Sequence, residues 1–163
     1  MKMLRIGALT LVAASFLPAV ALAQDDQIEI SFNRWSYSAV EGQAIEFKVV
    51  KEGSGDAVVS YETYENTGLS SNNQATPGVD YVVTSGELLF IGDETEKTFS
   101  VSTIDDSGTW TSGNPAIQTE GSEFFLVKLS LGSSSLHGGG DTSDVNNVKL
   151  VSPWRAAGTI INQ

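Results

Sequence analysis

The residues with the most to offer chemically are carboxylates. Asp105 and Asp106 stand side by side where the alternating stretch "VSTIDD" stops, and Glu41, Asp80, Glu120 and Glu123 mark other places where an alternating pattern begins or ends. Carboxylates brought together can surround a cation with oxygens, or divide the work of general acid and base across a bond to be broken. Neighbouring side chains on a continuing strand point to opposite faces, so Asp105 and Asp106 can serve one centre only if the chain turns there. Ser107-Gly108 supplies such a turn. Cysteine is absent and His137 is the single histidine, which excludes thiol nucleophiles, cysteine-based metal sites and multi-histidine zinc sites.

The elements that must position these acids are strands. Period-two patterns recur from Ile28 onward, and no window carries a convincing 3.6-residue period. "IEISFN" at 28–33 opens the series, and the same strand is expected to continue through Trp35, Tyr37 and Val40, with Trp35 packing. "AIEFKVVKE" at 44–52 alternates Ile45, Phe47 and Val49 with charges and meets "GSGD", a hairpin signal; "AVVSYETYE" follows at 57–65. "ELLFI" at 87–91, "EKTFSVSTI" at 96–104, "EFFLVKLSL" at 123–131 and "AAGTIIN" at 156–162 complete seven predicted strands, the number expected of a two-sheet sandwich with Greek-key links. Three long loops separate them, at 66–79, 107–122 and 132–155.

Residues 1–23 read as a secretory signal peptide. Lys2 and Arg5 precede an apolar run from Ile6 to Leu17, and Ala21-Leu22-Ala23 offers small residues for cleavage. The run is short of the about 20 residues a spanning helix needs, so an exported, soluble single domain over 24–163 with no membrane insertion is expected. Losing Lys2 and Arg5 without any acid moves the formal charge from −11 to −13. That balance excludes nucleic acid as a partner and suits a cation.

If each strand crosses the sandwich from one pole to the other, alternate connections share a pole. The turn at 41–43, the connection 66–86, the segment 105–122 and the end of the last strand then meet at one end. Glu41, Asp80, Asp105, Asp106, Glu120 and Glu123 all fall there, and Asn162 adds an amide oxygen. Six carboxylates in one place repel unless a cation sits among them. Ca²⁺, which accepts 6 to 8 oxygens in flexible geometry, suits them better than Mg²⁺. The same acids also fit a plainer role as solvated surface, and an Asp-Asp pair at a strand end also fits a turn or an edge guard.

These residues resemble a known family. "YSAVEG" (37–42), "VVSYET" (58–63), "PGVDYVVTSGELLFIGDETEKTFSVSTIDD" (77–106) and "EGSEFFLVKLS" (120–130) are similar, in that order, to the Calx-β domain. The resemblance implies a seven-stranded immunoglobulin-like sandwich, with Ca²⁺ at one end in members that keep the acids. It places Glu41 after the first strand, Asp80 in the Asp-Tyr motif, Asp105 and Asp106 in the acidic run, and Glu120 and Glu123 at the opening of the penultimate strand. Ser107 stands where calcium-binding members carry a third acid, and Asn162 and Gln163 where they end in aspartates. The segment 107–119 is an insertion between acids that usually sit closer. One ion is therefore expected rather than several.

The function expected from the sequence is an exported calcium-binding structural or adhesion module, periplasmic or secreted, with a protein or glycan at the cell surface as its macromolecular partner. The alternative is a carbohydrate- or cell-surface-binding module that uses loop aromatics such as Trp110 and Trp154 and has a degenerate or absent calcium site. Glu120 with Glu123, or Asp105 with either, could serve as a glycosidase acid and base. Nothing else in the chain builds a substrate cleft, and no enzymatic activity is expected.

Overall fold

A computed structural model describes residues 27–65, 73–105, 121–132 and 147–161. Nine strands build it: β1 Ile28–Phe32, β2 Ser36–Val40, β3 Ala44–Glu52, β4 Ala57–Tyr64, β5 Ser85–Phe90, β6 Glu96–Ser102, β7 Glu123–Leu131, β8 Val148–Leu150 and β9 Arg155–Ile161. They form two sheets in the orders β6-β3-β1-β8 and β2-β9-β7-β4-β5, the two layers of an all-β, immunoglobulin-like sandwich. Among the described residues no helix is long and apolar enough to cross a membrane.

The alternation in the sequence is the alternation of burial. Ile28, Ile30 and Phe32 on β1, Ile45, Phe47 and Val49 on β3, and Phe125, Val127 and Leu129 on β7 all face the space between the sheets. Aromatic rings fill the middle of that space. Phe47 stacks on Phe99 at 5.3 Å, Phe99 on Tyr61 at 3.8 Å, and Tyr81 on Phe125 at 4.4 Å between centroids. Gly158 on β9 is required by the Phe125 ring, because a Cβ there would lie 2.5 Å from Cζ.

One of the seven expected strands is divided in two, and one strand stands where a loop was expected. The opening strand does not continue through Trp35: it bends at Asn33–Trp35, so that β1 pairs with β3 in one sheet and β2 runs parallel to β9 in the other. The bend shifts the inward phase from even positions (Ile30, Phe32) to odd ones (Tyr37), as a change of sheet demands. The expected 132–155 loop likewise contains β8, which runs parallel to β1 before the chain crosses at 151–154 into β9. Trp35 does not pack: it stands at the bend, 66% exposed.

With these divisions counted, the chain still makes seven passes between two poles. Glu41–Gln43 joins β2 to β3 at one pole, and the described parts of the β4–β5 and β6–β7 connections lie there too. The β3–β4 and β5–β6 turns form the opposite pole. That opposite pole is held by an internal cation. Lys51 occupies an inward position on β3, 2% exposed, and its Nζ donates to the carbonyls of Gly53 (2.9 Å), Gly55 (2.8 Å) and Gly92 (2.7 Å). Both of those turns pass between the sheets, so one ammonium staples the two layers. The Gly92 N–H in turn donates to Asp56 Oδ1 at 2.7 Å. Glu94 nearby is held below the usual carboxylate range, chiefly by the hydrogen bond from the Lys97 ammonium and then by the Ile91 N–H.

Candidate metal centre

The other pole is knit by backbone hydrogen bonds that bring distant acids into one neighbourhood. The Glu41 N–H donates to the Ile161 carbonyl at 3.1 Å, which seats the Glu41 turn on the end of β9. Glu123, the first residue of β7, lies opposite Ile160 on the same β9 end. Thr103 reaches across from the β6 side, its N–H and Oγ1 both donating to the Gln43 carbonyl at 3.1 and 2.6 Å. Asp80 is fastened to the same segment, because its carbonyl accepts from the Ile104 N–H at 2.8 Å.

Asp80 sits in a tight turn of its own making. Its Oδ2 accepts from the Thr76 N–H at 2.6 Å, its N–H donates to the Thr76 carbonyl at 3.0 Å, and Gly78 takes φ +78° between them. Tyr81 beside it is fully buried, and its phenol is pushed above the ordinary value. Burial is the main cause, followed by the negative charges of Glu65 and Asp80. Glu65, the residue after β4, therefore belongs to this pole although sequence reasoning passed over it. Its position at the mouth of the 66–86 connection was the available signal, since the pole assignment covers that connection.

Gly42 fixes the closest approach between two of the elements. It takes φ +77°, and a Cβ on it would lie 3.0 Å from the Asp105 Cβ. The left-handed backbone favours glycine at 42, and the Asp105 side chain passes close against it, next in sequence to Glu41. Asp105 lies three residues past the end of β6 and is exposed, so its carboxylate stands at the surface of the pole.

Of the seven residues expected to bind a cation, Glu41, Asp80, Asp105 and Glu123 are placed at this one pole. Asp106, Glu120 and Asn162 lie outside the described residues, as do Trp110 and His137. Among the described residues no three acids come close enough to hold a metal ion by themselves. The four described acids share a pole without forming a metal site among themselves, and the donors they offer are all oxygens, the kind that suits a hard cation rather than a softer transition metal.

The chain is similar to the solved apo-form Calx CBD1 domain, with 27% identity, a TM-score of 0.61 and coverage of 84% of this chain and 98% of that one. It is also similar to the calcium binding domain CBD12 of CALX1.1, with 26% identity and a TM-score of 0.60, over 82% of this chain and 44% of that one. No curated protein matches it. The model of the Calx-beta domain family matches residues 23–162, nearly the whole length, and the chain belongs to that family.

Proposed function

We propose that this chain is an exported, non-catalytic module that binds one calcium ion at its acidic pole and serves a structural or adhesive role outside the cytoplasm. Glu41, Asp80, Asp105, Asp106, Glu120 and Glu123 would hold the ion, with the Asn162 amide as an additional oxygen. The bound ion would supply positive charge that offsets the repulsion among these acids. The single observation carrying this reading is the close approach at Gly42, which brings Asp105 against the Glu41 turn across 63 residues of sequence. The Asp105 side chain is thereby held beside the turn that carries Glu41, where both carboxylates can face one ion.

Membership of the Calx-beta family and the likeness to a calcium binding domain support the same reading. Export rests on the 1–23 segment, which reads as a signal peptide. Calorimetric titration of the chain from Gln24 onward, stripped of metal, tests calcium binding. The expected result is a saturable heat with a dissociation constant on the order of 10⁻⁴ to 10⁻³ M, the range of extracellular calcium modules. Asp105→Asn should weaken it at least about tenfold, the loss of one charged ligand being worth about 1.4 kcal/mol or more. Absence of any heat in the unaltered chain would sink the proposal.

A further inference from the structure

The two places where the chain changes sheets lie side by side, and they carry mirrored dipeptides. Arg34-Trp35 forms the β1–β2 bend and Trp154-Arg155 closes the β8–β9 crossing. Two backbone hydrogen bonds clasp them, from the Phe32 N–H to the Pro153 carbonyl (2.7 Å) and from the Ala157 N–H to the Trp35 carbonyl (2.9 Å). Trp35 is 66% and Trp154 37% exposed, so two large aromatic surfaces meet solvent at one corner of the sandwich.

The cations there differ from the other described cations. Lys48, Lys97, Lys128 and Lys149 each hold a carboxylate, and Lys51 is buried on carbonyls. Arg34 and Arg155 form no ion pair among the described residues. Each is instead presented on an aromatic ring: Arg155 lies 3.9 Å from the Trp154 centroid and 5.9 Å from that of Tyr64, and Arg34 lies 5.6 Å from that of Tyr37. A guanidinium held against a ring keeps N–H donors that no carboxylate of the described residues occupies, and a planar carboxylate is their natural partner.

We propose that this corner binds an acidic polysaccharide, one whose sugar rings carry carboxylates. Uronate rings combine what the corner offers partners for: an apolar ring face for Trp35, a carboxylate for Arg34 and for the Arg155 that Trp154 carries, and hydroxyls for the exposed Asn33, Ser36 and Ser152 around them. Among the described residues this is where unpaired positive charge collects in a chain of net charge −11, so charge complementarity selects an anionic ligand at short range. A lipid surface fits less well. The tryptophans are ringed by polar side chains, and a bilayer with anionic headgroups would also face the acids of the rest of the chain. The corner lies at the start of β9, and the acidic pole at its end, so the two sites are separate and this inference does not depend on calcium.

Affinity electrophoresis of the chain from Gln24 onward through gels containing alginate, with EDTA present throughout, tests the proposal. Alginate should retard the chain relative to a gel without polysaccharide, and dextran should not. The double variant Arg34→Gln/Arg155→Gln and the single Trp154→Ala should each lose about tenfold or more in apparent affinity, as expected for residues at the centre of a contact. Arg34→Lys/Arg155→Lys should recover part of that loss, because the charge returns without the planar fork. Circular dichroism and melting curves identify any variant that fails to fold, and the lysine pair then carries the comparison. The proposal is overturned if alginate gives no retardation, if dextran retards equally, or if the folded arginine double variant binds as before. Binding to phosphatidylglycerol vesicles without alginate binding would overturn it in favour of a membrane. A concentration-dependent dimer lost in the same variants, again without alginate binding, would overturn it in favour of a second copy.

Discussion

Replacing Lys51 by methionine is expected to lower the stability of the domain by about 3 kcal/mol or more, the cost of dismantling a buried hydrogen-bonded charge. Methionine fills a similar volume, so the loss is not one of packing. It comes from the carbonyls of Gly53, Gly55 and Gly92, which the ammonium holds at 2.7 to 2.9 Å and which methionine leaves without a donor. For a domain of this size the corresponding fall in melting temperature is roughly 10 °C. Lys51→Arg should not restore it, because a planar guanidinium cannot point three donors at carbonyls converging on one atom. Hydrogen exchange offers a second readout: the Lys51 N–H, bonded to the Thr95 carbonyl, should lose protection in the variant. A melting temperature within a few degrees of the parent would contradict the role given to this side chain.

The second expected result is a change of sign. The pair Glu41→Gln/Asp105→Asn should make the chain more stable than the parent in a chelator and less stable in calcium. Removing two like charges from a crowded pole relieves repulsion, worth about 1 kcal/mol for a pair 4 Å apart in water and more where water is excluded. In calcium the parent gains stability from binding, about 1.4 kcal/mol at ten times the dissociation constant, and the variant forfeits it. Melting curves of both proteins in EDTA and in millimolar calcium should therefore cross. Curves that keep the same order in both buffers would show that these two acids do not respond to the ion.

Much of the sandwich was legible because burial follows a period of two. Ile45, Phe47 and Val49 on β3 and Phe125, Val127 and Leu129 on β7 are buried where the alternation put them. The changes of sheet were harder to see, since backbone pairing partners leave little trace in a local pattern. One trace was present: the apolar phase passes from Phe32 to Tyr37, an odd step that a single straight strand cannot make. Trp35 would pack only if it belonged to that strand, and it is exposed because the bend carries it off the sheet. β8 is three residues long beside a glycine- and serine-rich stretch, too short to show a period.

Connection parity, which needs only that strands alternate in direction, places Glu41, Asp80, Asp105 and Glu123 at one pole as the fold does, while Asp106, Glu120 and Asn162 lie outside the described residues. Parity cannot measure approach, so Gly42 and its contact with Asp105 emerged only from the fold. Lys51 had a signal that went unread. It falls in phase with Ile45, Phe47 and Val49, and a lysine at a core position requires partners.

The central claim is that calcium binds at the pole where Glu41, Asp80, Asp105 and Glu123 gather. A crystal structure of the chain grown or soaked in calcium, with anomalous scattering to locate the ion, tests it most directly. The account predicts one ion about 2.3 to 2.6 Å from carboxylate oxygens that include Asp105. A well-ordered pole with no ion at millimolar calcium, or an ion bound elsewhere on the sandwich, would contradict it.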